Sequence, residues 1–251
     1  MDDIDRIGPT RRPEGRRVAQ HQTWESLLFL HWRVPAAALR PLIPAALEID
    51  TFDGDAWVGL VPFTMRGVRL SWLPPVPGTS DFHETNLRTY VHHRGANPGV
   101  WFFTLEAAAW LPVQVARAGW HLPYHHARMS LSRGADGVID YASDRRAPPP
   151  LPAHCKVRYE PTGAPGAAVP GTLEHFLAER YLLYVDRGGG RLQRGAVHHP
   201  PYPLQGAKVH AWEESILAAC GVERPPGEPI AHYASRVDVE IFDLEDLRAP
   251  G

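Results

Sequence analysis

Two short stretches hold most of the residues that could do chemistry. Glu84, Asn86, Arg88 and Tyr90 recur at every second position, and so do Tyr124, His126 and Arg128. Alternate side chains of a strand share a face, so each set presents one polar face. A guanidinium fork grips a carboxylate in two-pronged fashion, which suits Arg88 and Arg128, with Asn86 beside them. A carboxyl, phenol or imidazole can carry a proton, which suits Glu84, Tyr124 and His126. The same residues can also form Glu–Arg and Tyr–His contacts that only satisfy one another inside a fold. The residue types alone leave both readings open.

Other chemistries have weaker footing. Lys156 and Lys208 are the only lysines among 26 basic residues, so a mechanism that needs an amine has two candidates. Histidine occurs in three adjacent pairs, at 92–93, 125–126 and 198–199. Three strands could each offer one imidazole to a zinc ion, yet no compact ligand spacing or fourth ligand accompanies them, and surface or core histidines are the simpler reading. No metal and no cofactor are expected. Cys155 has no nucleophile motif around it and reads as a buried structural cysteine. The serines at 71, 130 and 132 lack a nucleophile elbow. Gly188, Gly189 and Gly190 lack the Gly-Lys-Ser/Thr ending of a phosphate loop and read as a hairpin turn. Trp57, Trp72, Trp101, Phe102, Phe103 and Trp110 read as packing. Glu179 and Arg180 read as an ion pair at a helix end.

The elements that must position these residues are many short strands and few helices. The chain has 251 residues, 44% of them hydrophobic and 22% charged, with a formal net charge of −2. That suits a large β-rich domain with a core that needs no staples. It carries no nucleic-acid footprint. No run approaches the roughly 18 apolar residues of a membrane helix. Residues 1–17 hold five arginines and no apolar core of a secretory signal, and two cysteines make no disulfide framework, so a cytoplasmic protein is expected. Residues 1–20 read as a flexible arm and 21–251 as a single domain. Strands are expected at 24–32, 56–65, 84–93, 100–108, 124–132, 138–143, 155–159, 181–186, 191–198 and 232–242, although 24–32 alternates poorly. Helices are expected at 35–42, 111–119, 172–180 and 211–219, and turns at 163–171 and in the Pro-rich stretches 73–78 and 148–152. The sum is a mainly antiparallel sheet, closed or nearly so.

Several ordered segments carry a resemblance. They include Val34-Pro35, Leu42-Ile43-Pro44, Asp50-Thr51-Phe52-Asp53-Gly54, the run from Glu84 to Val91, and the run from Gly99 to Phe103. Ala116-Arg117, Leu122-Pro123-Tyr124 and the run from Phe176 to Tyr181 continue it. From about Trp24 to Phe242 the chain resembles the YqjF-like family, a domain of unknown function similar in fold to acetoacetate decarboxylase. The resemblance implies an α+β, mainly β fold: a cone-shaped, mostly antiparallel β-barrel with an internal pocket and a few short outer helices. It implies that Glu84 matches the decarboxylase's pocket glutamate, and that Pro123-Tyr124-His125 stands where the decarboxylase has Pro-Lys-Lys. Imine chemistry needs an amine of lowered pKa, which a phenol and an imidazole do not supply, so acetoacetate decarboxylation is expected to be absent. With Glu84 and Tyr124 turned inward, Glu84, Asn86, Arg88, Tyr124, His126 and Arg128 would converge on one small-molecule site. The expected ligand is a carboxylate or keto acid, handled by lysine-independent lyase or isomerase-type chemistry if by any. The alternatives are a non-catalytic binder of a partly apolar ligand, and an interaction protein using the loop at 73–78. The decarboxylase relatives assemble, which implies a homo-oligomer.

Overall fold

The structure is a computed structural model and describes residues 4–109 and 120–247. Among the described residues, thirteen strands make one sheet. They are β1 (Val18–Val34), β2 (Glu48–Ile49), β3 (Ala56–Leu70), β4 (Phe82–His93), β5 (Ala96–Ala107), β6 (Tyr124–Arg133) and β7 (Ile139–Ala147). After them come β8 (His154–Gly166), β9 (Leu182–Asp186), β10 (Leu192–His198), β11 (Leu204–Glu214), β12 (Ile230–Phe242) and β13 (Glu245–Asp246). Among the described residues, short α-helices punctuate the chain: α1 (Ala36–Leu39), α2 (Leu173–Ala178) and α3 (Ile216–Ala219). The fold is mostly β, as the strand count in the sequence predicts. β5 runs parallel to β6 and β9, and the other pairings are antiparallel. The pairing order returns on itself, because β4 pairs with β5 as well as β3, and β12 pairs with β10 as well as β11 and β1.

Two irregularities decide which residues face inward. In β1, Gln20, Gln22 and Trp24 share a cavity wall with Leu27 and Phe29, so the inward phase changes from even to odd. The change falls at Ser26, whose φ is +53°, within a register shift between β1 and β3. A bulged residue has this effect on a period of two, and it explains the poor alternation of 24–32. In β5, Phe102 and Leu105 face the same cavity although they are three residues apart. Opposite them Arg88 pairs with Phe102 and Leu87 with Thr104, which leaves Phe103 as the extra residue.

Some elements differ from expectation. The stretch 211–219 is strand up to Glu214 and helical only from Ile216. β11 pairs with β8 along most of its length, and Trp212 packs on Trp32 with ring centroids 5.6 Å apart. Helix propensity is a weak prior against such pairing. β8 runs to Gly166, into the stretch read as a turn. The helix expected at 111–119 and Trp110 lie outside the described residues. Within the segment read as an arm, Arg6 pairs with Asp50, Arg12 pairs with Glu240, and β1 begins at Val18.

α2 is capped as expected, with His175 N donating to Thr172 Oγ1 at 3.3 Å, and it buries His175, Phe176, Leu177 and Ala178. Thr172→Ala should lower stability by about 1 kcal/mol, read as a shifted urea midpoint at unchanged slope.

Candidate active site

β4 lines a cavity of about 120 Å³. A water needs roughly 10–15 Å³ on the same measure, so the space admits several waters or a small metabolite. Glu84, Asn86 and Arg88 line it from β4, with Val61 and Phe63 of β3 and Leu105 and Phe102 of β5 beside them. Trp24, Phe29, Trp120, Leu122, Tyr124, Arg180 and Tyr202 complete much of the rest. The interior is apolar and aromatic with a few polar groups set into it, the usual make-up of a small-molecule site.

One polar end is acidic. Glu84 is 2% exposed, and Tyr124 Oη donates to its Oε2 at 2.8 Å. Burial pushes the Glu84 carboxyl up to about 8; hydrogen bonds from Tyr124 and Asn86 pull it back, and Glu106 pushes it further up. Glu84 therefore holds a proton at neutral pH. Burial and the Glu84 carboxyl together hold the Tyr124 phenol well above its ordinary value. Asn86 Oδ1 is buried and accepts no hydrogen bond.

The other end is cationic. Arg88 is 7% exposed and has no carboxylate partner among the described residues. Its Nη2 donates to Leu177 O at 3.3 Å, its Nε is buried without a partner, and its Cζ lies 5.6 Å from the centre of the Phe29 ring. Behind it, Tyr90 Oη donates to Leu177 O at 2.7 Å and lies 2.6 Å from His31 Nε2. The Tyr90 proton is committed to the carbonyl, so the imidazole must donate from Nε2. Its bare Nδ1 is indeed without a partner. Burial, with the Arg88 charge and His232 adding to it, keeps His31 well below its usual pKa and therefore neutral. Gly59 faces Arg88 across the strands, and a Cβ there would lie 2.9 Å from the His31 ring, so a glycine is needed for this approach.

Arg180 enters the same cavity from just beyond α2. It does not pair with Glu179. Arg180 Nη1 donates to Asp50 Oδ2 at 2.7 Å and Nε to Phe176 O at 2.8 Å. Glu179 instead accepts from Tyr181 Oη at 2.5 Å and Tyr202 N at 2.9 Å. A partner 130 positions away outcompetes the sequence neighbour.

His126 and Arg128 do not line the cavity. β6 meets β5 only through Tyr124, His125 and His126, and then continues along β7. Arg128 is exposed opposite Asp144, and His126 is half-buried. Both share strand parity with Tyr124, but the strand has left the cavity wall. Lys156 and Lys208 project to solvent, each with its side chain more than 60% exposed, beside Glu213 and Glu160. No cluster of three His, Cys, Asp or Glu side chains that could hold a metal ion occurs among the described residues. Cys155 is buried, unpaired and pushed up to about 12 by burial, the state of an inert structural thiol.

The mostly β architecture is similar to acetoacetate decarboxylase-like folds. The acetoacetate decarboxylase of Legionella pneumophila superposes with a TM-score of 0.63 at 10% identity, over 95% of this chain and 92% of that one. The enduracididine biosynthesis enzyme MppR, complexed with the condensation product of pyruvate and imidazole 4-carboxaldehyde, gives 0.62 at 13% identity, over 91% and 88%. An acetoacetate decarboxylase-like enzyme from Sphingomonas wittichii RW1 gives 0.61 at 14%, over 92% and 94%. The chain belongs to the YqjF-like DUF2071 family, described as an uncharacterized conserved protein, whose profile matches residues 21–238. The uncharacterized protein YqjF of Bacillus subtilis (strain 168) is 39% identical over 232 residues, covering 92% of this chain and 93% of that protein. No helix among the described residues is long and apolar enough to cross a membrane.

Proposed function

We propose that the sheet acts as a closed barrel that binds a small carboxylate or oxo acid in its interior and acts on it, if it turns it over, without a lysine imine. Arg88 anchors the carboxylate. Glu84, protonated and hydrogen-bonded to Tyr124, faces the other end of the ligand as the proton carrier. The observation that carries this reading is Arg88: a guanidinium 7% exposed, on a cavity wall, with no acid paired to it among the described residues. An unpaired buried charge is costly, and an anionic ligand removes that cost. A self-satisfied network would pair Glu84 with an arginine, whereas Glu84 takes Tyr124 and Arg88 faces open space. The exposure of Lys156 and Lys208 supports the absence of Schiff-base chemistry.

The test is calorimetric titration of acetate, propionate and pyruvate into wild type and Arg88→Met. Binding should weaken at least tenfold, about 1.4 kcal/mol, in the variant. Equal binding would remove Arg88 as the anchor. Borohydride treatment with pyruvate should leave both lysines unmodified, and a trapped adduct on either would overturn the lysine-independent reading. Arg128→Ala and His126→Ala, both off the cavity wall, should leave the titrations unchanged.

A further inference from the structure

The cationic end holds more charge than one carboxylate needs. Arg88 and Arg180 both line the cavity, each about 7% exposed. Their guanidinium carbons lie 5.9 and 4.9 Å from the centre of the same Tyr90 ring. Both are oriented by the carbonyls that end α2, Arg88 by Leu177 O and Arg180 by Phe176 O. Each keeps an open donor, Nε on Arg88 and Nη2 on Arg180, buried and without a partner. A third guanidinium stands behind them. Arg6 and Arg180 share the single carboxylate of Asp50, and they flank the Phe176 ring at 5.4 and 4.2 Å. Glu179 at the same helix end gives its oxygens to Tyr181 and Tyr202 and has no ion pair among the described residues. His31 and His199 are held neutral, the latter pulled down to about 4 by burial.

Arg6 and Arg180 thus share one paired carboxylate, Asp50, and Arg88 has none among the described residues. We propose that the cavity takes a dianionic head, a short dicarboxylate or a phosphate group, seated between Arg88 and Arg180, with Asp50 and Arg6 as the residues that position Arg180. This rests on the reading of the cavity as a carboxylate site and narrows its ligand class. A monoanion seated on Arg88 would leave the buried Nη2 donor of Arg180 without an acceptor, which a low-dielectric site disfavours. Two arginine forks within 6 Å of one ring centre, both on the cavity wall, make malonate and succinate the dicarboxylates to try. Asn86 Oδ1, the open acceptor between the two polar ends, suits a hydroxyl donor on the ligand.

The experiment is calorimetry on the full chain at pH 7. Malonate, succinate and inorganic phosphate are compared with acetate and propionate, in wild type, Arg180→Lys and Arg6→Ala. In wild type a dianion should bind at least about tenfold more tightly than the monoanions. Arg180→Lys, which keeps the charge and loses the fork, should bring that ratio below about threefold while monoanion affinity stays within about twofold. Arg6→Ala should lower dianion affinity less than Arg180→Lys, through loss of the support on Asp50. The double variant Arg180→Met with Asp50→Asn removes the inner pair together and should also abolish the preference, so the test survives if Arg180→Lys misfolds. Phosphate binding without dicarboxylate binding assigns the head to a phosphate; the reverse assigns it to a dicarboxylate. Monoanions and dianions bound equally would overturn the dianion seat and leave the carboxylate site standing. No binding of any probe would overturn both.

Discussion

Arg145→Met should lower the unfolding free energy by about 3–5 kcal/mol at pH 7, the cost of stranding a buried charge. Arg145 and Glu106 are both almost completely buried. Arg145 Nε lies 3.0 and 3.1 Å from the two Glu106 oxygens, and Nη2 pairs with Glu106 Oε1 while donating to Thr104 Oγ1 at 3.0 Å. Nη1 donates to Pro150 O at 3.1 Å, so the same side chain ties the Pro-rich loop to β5. Methionine keeps the bulk and loses every one of these bonds. Burial already pushes the Glu106 carboxyl above its ordinary value, and Arg145 is the main force pulling it back. Without Arg145, Glu106 will take up a proton more readily, so the deficit should shrink as pH falls toward 5. Removing both charges, in Arg145→Met with Glu106→Gln, should recover part of the loss at pH 7. Urea titrations of the three proteins at pH 5 and 7 decide this. A single variant as stable as wild type would mean that the pair adds nothing net to the fold.

How much of this could be read from the residues alone depends on sequence distance. Period-two alternation puts Glu84, Asn86 and Arg88 on one face of β4, and the three line one cavity because β4 pairs regularly with β3 throughout. The same rule applied to β6 includes His126 and Arg128, which the structure leaves off the wall. Alternation fixes the face of a strand but says nothing about where its neighbour ends, and β5 stops pairing with β6 at His126. Phe102 with Leu105, and Trp24 with Leu27, defy alternation because a bulge lies between the members of each pair. A left-handed Ser26 leaves no sequence mark, since serine does not require that conformation as glycine often does. Sequence adjacency pairs the second arginine of the cavity, Arg180, with its neighbour Glu179. Asp50, 130 positions away, claims it, and no local pattern carries that information. β11 hides from local pattern for a related reason: Ala, Glu and Leu near its end favour helix locally, while β8 supplies a hydrogen-bonding partner along most of it.

Glu84→Gln should become progressively more stable relative to wild type as pH rises from about 4.5 to 8, and the gap should be constant above that. In the unfolded chain Glu84 ionises near the ordinary carboxyl value of 4.5, while in the folded protein burial raises it to about 8. Below pH 4.5 both states hold the proton, so it contributes no pH dependence. Between the two values only the folded state binds it, and folding must work against ionisation of the unfolded chain. One proton of difference lowers wild-type stability by about 1.4 kcal/mol per pH unit in that window. Glutamine is neutral in both states and nearly the same shape, so it lacks this slope while still accepting from Tyr124. Tyr124→Phe should act in the opposite direction: the lost hydrogen bond no longer draws Glu84 down, so its pKa rises and the window extends above 8. The same proton matters to the ligand. An anion in the cavity favours a neutral Glu84, so carboxylate affinity should fall as pH passes through 8 in wild type and stay flatter in Glu84→Gln. Denaturant unfolding of wild type and both variants at pH 5 to 9 checks the stability part, and titration of one bound acid over the same range checks the binding part. Parallel stability curves for wild type and Glu84→Gln would mean that Glu84 is ionised in the folded protein, and the proton-carrier role would go with them.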